Sequence, residues 1–408
     1  MAKISKISLK NYKSLRDVEL ELKPLNILIG TNGSGKSNLL DFFRLLKDAA
    51  EGQLSRHINR EGGFGDVMWW GASNEVKFSV EFYIPNPLSL RSQFEKAEPT
   101  SIFITLEKIY DLYSVDFETI NTQLDTRIDN SNYFYLQIEH GRLAYLGNEP
   151  VENIDANIIE EFKKTYNPQE FYISQLRDPM RFSLLNNIRT ILADFVVYRG
   201  FSAGAIENVH QAQTLDALYP LRLEPDLSNL SSILHALQND ARYETALEDL
   251  TDYLNLAFPE ISKVDTPQSA AGKIELRWRN KDFQGKSLPA FSMSDGMIRF
   301  LGLATLLVLP DPPALIAIDE PEIGLHPKLI PLLAALLKQA STRTQIVVTT
   351  HSPELLNSES ITLDDIVLVN KEDGATTFDR PDAVRLERWL ENYSIGHLWM
   401  IGKLGQRS

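Results

Sequence analysis

The sequence predicts an α/β fold: a mostly parallel core sheet interrupted by an antiparallel β insertion and a helical lobe. Three patterns predict it. An apolar strand, a glycine-rich turn and an amphipathic helix follow one another between residues 25 and 50, as a βα unit of a buried parallel sheet requires. Strand patterning between residue 75 and about 150, strictly alternating at its start, reads as an antiparallel sheet. Strand-like and helix-like runs then alternate again from about residue 297 to 350.

Each element has its own signal. Residues 4–9 and 18–22 alternate with period two and read as half-buried strands. Leu25-Asn26-Ile27-Leu28-Ile29 is nearly all apolar, as a strand covered on both faces must be. A helix is expected from Ser37 to about Ala50, with Leu39, Leu40, Phe42, Phe43, Leu45 and Leu46 on its apolar face. Val76, Phe78, Val80, Phe82 and Ile84 alternate, and the runs 133–138 and 143–146 flank His140-Gly141 as a hairpin would. Residues 171–300 read as mostly helical. A helix near 297–309, a strand 314–318, a helix 328–340 and a strand 345–350 follow. The expected segments are 1–170 (a lobe with the glycine-rich turn and the β insertion), 171–300 (helical lobe) and 301–408 (rest of the core and a tail). No internal repeat or sustained heptad is present, which excludes a long coiled-coil arm.

Composition narrows the class. The chain has 408 residues, 43% hydrophobic and 24% charged, so it is neither disordered nor fibrous. With no Cys, disulfides, thiolate nucleophiles and cysteine-ligated metals are excluded, and a reducing compartment fits. The seven His lack metal-ligand spacing. Residues 1–15 have no apolar segment of the signal-peptide kind, and Pro310-Asp311-Pro312-Pro313 breaks the apolar stretch 300–318. A soluble, cytoplasmic protein without a membrane partner is expected. The net charge of −14 is uneven: residues 1–60 carry 11 Lys/Arg against 6 Asp/Glu, and residues 61–170 carry 8 against 19. Only the first stretch offers the basic surface that a sequence-independent grip on DNA needs.

The chemistry lies in four motifs. Gly30-Thr31-Asn32-Gly33-Ser34-Gly35-Lys36-Ser37 matches G-x-x-x-x-G-K-[ST] and sits between a buried strand and a helix. Its glycines let backbone N–H groups cradle a β-phosphate at a helix N-terminus. Lys36 reaches the β- and γ-phosphates, and the Ser37 hydroxyl ligates Mg²⁺. In Leu315-Ile316-Ala317-Ile318-Asp319-Glu320 two carboxylates emerge from a buried strand. Asp319 is expected to hold Mg²⁺ through water, and Glu320 to act as general base or to position the attacking water. Thr349-Thr350-His351-Ser352 ends another apolar strand, where His351 is placed to sense a γ-phosphate. Ser294-Asp295-Gly296 opens a helix and offers N–H groups to an anion, as an ordinary N-cap also does.

The order of these motifs resembles an ABC-type ATPase head, in the branch of the SMC, RecF and overcoming-lysogenization-defect ATPases. Leu9-Lys10-Asn11-Tyr12-Lys13-Ser14-Leu15 resembles the branch's "KNFKS" start. Residues 320–327, EPEIGLHP, resemble its "DEPE-x-x-LHP" run, and Thr350-His351-Ser352-Pro353 its "THSP". The resemblance covers residues 1–50 and 290–357 well and the middle of the chain hardly at all. It implies a Walker A loop at 30–37 continued by Asn38, Walker B at Asp319 with Glu320 as its catalytic acid, and His351 as switch histidine. It implies that Ser294 and Gly296 form a signature motif completing the nucleotide site of the opposite protomer. Residues 324–327 would lie between the two sites. Gln175 is the candidate for the Gln that links the helical segment to the core, and the adenine contact stays open, with Tyr12 one candidate. ATP rather than GTP, and an ATP-dependent homodimer, follow from the resemblance alone.

The departures shape the functional expectation. After His351 only 57 residues remain, too few for an appended Toprim nuclease domain. The tail Tyr393-Ser394-Ile395-Gly396-His397-Leu398-Trp399-Met400 resembles that of stand-alone AAA-family ATPases, with its apolar content either core or docking surface. The leading expectation is a stand-alone ATPase that dimerises on ATP and controls a separate protein effector, as the sensor of an anti-phage system. The alternative is a RecF-like repair or chromosome-associated ATPase acting on DNA. A transporter subunit is disfavoured by the signature and the β insertion, and a non-hydrolysing scaffold by the presence of Lys36, Asp319, Glu320 and His351.

Overall fold

The computed structural model describes residues 3–69, 75–83, 100–107, 119–128, 132–139, 142–147, 149–150, 170, 172–175, 177, 183–214, 220–268 and 272–404. The chain folds into two compact units, each assembled from segments far apart in sequence. The first takes residues 1–23, 30–196 and 368–379, and the second residues 24–29, 197–367 and 380–408.

The first unit carries an eight-stranded antiparallel sheet. Its spatial order is Leu15–Glu21, Lys3–Tyr12, Glu75–Tyr83, Thr100–Glu107, Thr119–Ile128, Asn132–Glu139, Arg142–Gly147, Glu149–Pro150. The insertion expected after residue 75 is therefore an extension of the N-terminal hairpin. Leu9 faces Val18 on one side and Phe78 on the other, and Ile7 faces Leu20 and Val80. Ile4 and Ile7 are three residues apart yet both buried, because the register shifts between Ile4 and Lys6 and resets the alternation. The expected turn His140-Gly141 lies outside the described residues, although the strands flanking it pair as expected.

The helix Lys36–Glu51 lies in this unit and buries Leu39, Leu40, Phe42, Phe43, Leu45 and Leu46. Phe42 stands edge-on to Tyr12 and Phe78, with ring centroids 5.7 and 5.2 Å away. These edge-to-face contacts join the helix to two strands of the sheet.

The second unit contains the parallel strands Leu315–Asp319, Gln345–Thr350 and Leu25–Ile29. Every residue of the last two is buried, which explains their mostly apolar pattern. Asn26 is one of the buried polar residues there: it donates to the Ile346 carbonyl at 3.3 Å and accepts from Arg380 at 2.6 Å. The helices Leu230–Asn239, Glu244–Ala257, Asp295–Val308 and Ile330–Ala340 stand where helical periodicity placed them. The expectation of a mostly helical stretch 171–300 needs one correction. Ile261–Asp265, Arg277–Asn280 and Ser287–Pro289 form a three-stranded antiparallel sheet. Strands of three to five residues carrying Lys263, Arg277 and Arg279 are too short and too polar to show a period.

Among the described residues no helix is long and apolar enough to cross a membrane. The tail forms the helices Ala383–Leu390 and Ile395–Met400, in which Leu386 and Leu398 are core while Trp389, Tyr393 and Met400 are exposed. Its apolar content is thus divided between packing and surface.

Phe42→Ala removes the ring that joins the helix to both strands. A loss of about 3–5 kcal/mol is expected for a buried Phe, read as a lowered midpoint in chemical denaturation.

Candidate functional site

The chain leaves the parallel strand Leu25–Ile29 at Gly30 and enters the glycine-rich loop. Gly33 and Gly35 adopt φ of +74° and +106°, where a side chain would be strained. Space forbids one as well: a Cβ on Gly35 would lie 2.1 Å from Thr376 Oγ1, and one on Gly30 would lie 2.1 Å from the Val369 carbonyl oxygen. A relay of three hydrogen bonds braces the loop. Asn38 Nδ2 donates to Ser14 Oγ at 2.7 Å, Ser14 and Thr376 hydroxyls lie 2.7 Å apart, and Thr376 Oγ1 donates to the Ser34 carbonyl at 2.7 Å. Since Thr376 spends its one proton on Ser34, Ser14 is the donor of the middle bond.

Lys36 is buried, with Nζ donating to the carbonyls of Gly30 at 2.8 Å and Thr31 at 3.1 Å. The Ser34 hydroxyl is buried without a hydrogen-bond partner. A close-packed backbone cradle, an ammonium and an open hydroxyl at the N-terminus of a 16-residue helix form the donor set that an oligophosphate takes. The residues present therefore fit the phosphates of a nucleotide.

The Asn11-Tyr12-Lys13-Ser14 turn is held from below by a buried charge network. Asn11 and Lys13 sit at φ of +61° and +47°. Lys13 Nζ donates to Asp41 at 2.5 Å and Glu61 at 2.7 Å, and Tyr12 Oη donates to Asp41 at 2.8 Å. Tyr12 is fully buried, so its ring is core and not a face for adenine. His57, also fully buried, has Nδ1 2.7 Å from Asp48 and Nε2 3.7 Å from Asp41. Burial opposes charge on His57, but the hydrogen bond to Asp48 and the negative charges of Asp41 and Asp48 outweigh it and raise its pKa above 6.5. Burial likewise opposes charge on Asp41, and the bond from Lys13 with the positive charges of Lys13 and His57 override it, holding the carboxyl well below its ordinary 3.8. Asp41, His57 and Glu61 have the spacing of a metal cluster, but the Lys13 ammonium supplies the cation there.

In the other unit, the acids emerge where the strand Leu315–Asp319 ends. Asp319 pairs in register with Thr349, and Thr350 with Ile29, so three parallel strands end together. Thr349 Oγ1 donates to Asp319, and the Glu320 N–H donates to both the carbonyl and the hydroxyl of Thr349, at 3.1 and 3.0 Å. Glu320 is in the left-handed region at φ +48°, a conformation that costs a non-glycine residue energy and that Thr349 enforces. His351 Nε2 lies 3.4 Å from Glu320 Oε1. Glu322 accepts the Thr350 hydroxyl at 2.5 Å and the His351 N–H at 3.1 Å, which ties the loop after Glu320 to the end of the histidine strand.

Ser294 caps the helix Asp295–Val308, its Oγ accepting from the Met297 N–H at 3.3 Å, and it is exposed. A Cβ on Gly296 would lie 3.0 Å from the carbonyl oxygen of Gly324, so this helix start abuts the 324–327 loop.

Of the predicted residues, Gly30, Asn32, Gly33, Ser34, Gly35, Lys36, Ser37, Asn38 and Gln175 lie in the first unit, and Ser294, Gly296, Asp319, Glu320 and His351 in the second. Glu320 and His351 are brought together directly. Gln175 ends a short helix, Tyr172–Gln175, with Nε2 donating to the Glu170 carbonyl at 3.1 Å. Sequence reasoning missed Thr376, which lies in no motif, and named Thr349 within its motif without seeing that it holds Asp319 and Glu320. Glu322 was visible within Glu320-Pro321-Glu322, but its partners were not.

A glycine-rich loop entering a helix in one unit, and in the other paired acids and a histidine at the ends of parallel strands, are the separate parts that a P-loop NTPase fold carries. Two family profiles divide this chain: "AAA ATPase domain" over residues 2–197, and "AAA domain, putative AbiEii toxin, Type IV TA system" over residues 203–357. Both profiles describe AAA ATPase domains, and together they make the chain similar to AAA ATPases over most of its length. It is similar to the retron Ec83 probable ATPase of Escherichia coli, 24% identical over 395 residues, which is 87% of this chain and 70% of that one. It is 43% identical over 65 residues to the DNA replication and repair protein RecF of Phocaeicola vulgatus, a match spanning 15% of this chain and 18% of that protein. Among solved structures it resembles the SMC head bound to the C-winged helix domain of ScpA. That match has a TM-score of 0.54 at 15% identity, over 95% of this chain and 99% of the other. The SMC and RecF expectation is met, and the further likeness to overcoming-lysogenization-defect ATPases rests on the motifs alone.

Two outcomes follow from the first unit. Asp41, with its lowered pKa, contributes stability above pH 3.8 that is lost as pH falls through its folded value. His57, with its raised pKa, contributes stability below pH 6.5 that is lost as pH rises through its folded value. Thermal midpoints should therefore decline on both sides of that window, and His57→Gln should flatten the alkaline side. Thr376→Val leaves the Ser34 carbonyl and Ser14 hydroxyl without their partner, costing about 1–3 kcal/mol, and urea titration of both proteins measures it.

Proposed function

We propose that this chain is an ATP-hydrolysing, nucleotide-gated switch whose two copies close on ATP and open after hydrolysis. The register that ends Ile29, Thr350 and Asp319 together carries the reading, because nucleotide hydrolysis needs a phosphate loop and paired acids after neighbouring strands. Lys36 and the N–H groups of residues 30–37 bind the β- and γ-phosphates, with Asn38 continuing the loop. Glu320 accepts a proton from the water whose oxygen bonds to the γ-phosphorus as the bond to the ADP oxygen breaks, giving ADP and phosphate. His351 orients Glu320 and senses the γ-phosphate. Mg²⁺, when bound by Ser37 and, through water, Asp319, neutralises developing phosphate charge.

Ser294 and Gly296 complete the site of a second copy. An exposed, capped helix start supports this, since its free N–H groups suit an anion presented from outside. Gln175 links the helical segment to the core. Loss of the γ-phosphate removes contacts from both copies and releases them. A protein effector in trans is the expected recipient of that motion. The length of the match to the retron ATPase supports a place in an anti-phage system.

The RecF match favours the second reading, an ATPase acting on DNA. The N-terminal lysines that would supply its basic surface are partly engaged: Lys6 pairs with Glu19 at 2.6 Å and Lys10 with Asp17 at 3.7 Å.

Steady-state ATP hydrolysis with and without duplex DNA, run beside Glu320→Gln, tests both readings. A positioned base contributes about 10²–10⁴-fold, so the variant should lose most turnover and elute at dimer mass with ATP by light scattering. Wild-type turnover in Glu320→Gln removes the catalytic assignment. A several-fold rise with DNA moves the RecF-like reading ahead, and no rise leaves the partner-gated switch.

A further inference from the structure

We infer that Arg299 is a positioning residue that couples the capped helix start at Ser294 to the backbone of Glu320; this rests on the reading of Glu320 as the hydrolytic acid. Gly296 and Arg299, three residues apart, share one face of the helix Asp295–Val308. The loop after Glu320 is pressed onto that face at Gly324. The Gly324 carbonyl oxygen stands where a Cβ on Gly296 would be only 3.0 Å away. A Cβ on Gly324 itself would lie 2.8 Å from Arg299 Nε and 2.9 Å from its Cδ, and Gly324 is left-handed at φ +79°. The Arg299 stem thus lies flat along Gly324, while Nη1 donates to the Phe201 carbonyl. Arg299, Phe201, Glu320, Pro321 and Ile323 line one small cavity.

The segment between Glu320 and Gly324 has little freedom to absorb a shift. The Ile323 N–H donates to the Glu320 carbonyl at 3.1 Å, and the Leu325 N–H to the Glu322 carbonyl at 3.0 Å. Its far end is held by Glu322 on Thr350 and His351. A displacement of the helix start therefore reaches Glu320 as movement of a short rigid turn. The strained φ of +48° at Glu320 persists only while both ends are held. Arginine suits the position because its planar guanidinium packs against the glycine and donates beyond it, which a lysine ammonium does not reproduce.

The test compares Arg299→Met with Gly324→Ala in the full chain. It reads steady-state ATPase, the Kd for a fluorescent ATP analogue and the thermal midpoint. Misplacing a reacting group by about an ångström costs up to about a hundredfold, so kcat should fall about ten- to a hundredfold in each variant with KM and Kd unchanged, the midpoint staying at the wild-type value in Arg299→Met and falling in the strained Gly324→Ala. The double variant should be no worse than either single one, because both break one contact. Wild-type kcat in Arg299→Met overturns the proposal, as does a loss of turnover in that variant accompanied by equal losses of binding and midpoint. Full turnover in Glu320→Gln instead removes the underlying reading of the acid, whatever Arg299 does.

Discussion

A parallel strand buried on both faces can present polar chemistry only where it ends, and this constraint organises the unit that holds the acids. Residues 315–318, 345–350 and 25–29 are all buried, so no side chain along them can reach water or a ligand. The register places Asp319, Thr350 and Ile29 at one edge. From that edge the chain leads into the acids, the histidine and the glycine-rich loop. Reversing any strand would move its polar terminus to the opposite side of the sheet.

Strain at that edge is maintained by hydroxyls. Glu320 occupies a left-handed conformation because Thr349 takes its N–H through both carbonyl and hydroxyl. In the other unit, Thr376 and Ser14 hold a loop whose glycines are left-handed for the same steric reason. In both units a small polar side chain from a distant strand fixes backbone that could not hold itself. Such conformations are disfavoured by about 1–3 kcal/mol each when unsupported, so the supporting hydroxyls are part of the sites they brace.

The opening motif serves structure as much as function. Tyr12 and Lys13 turn inward onto Asp41, and Ser14 turns onto the loop, so one short turn joins the charge network to the phosphate cradle. The partly buried Lys13, beside Glu61 and the buried Asp41, offsets carboxylate charge that alone would be strongly destabilising. The opening motif thus has a packing role in this chain.

The sequence by itself determined the parallel core, the helix Lys36–Glu51 and the four motifs, because each writes its own local period or spacing. Four apolar residues in a strand of five, a glycine loop and Lys36-Ser37 need no distant information to be read. Tertiary structure alone decided that Glu322 grips His351, that Thr376 closes on Gly35 and that Tyr12 is core. Those partners stand 29, 341 and 29 residues apart, Tyr12 being held by Asp41. It also decided that residues 261–289 are a small sheet, since short polar strands are specified by their neighbours rather than by their own pattern. A hydrogen bond between remote residues leaves no trace in local periodicity, and only folding brings its two ends within reach.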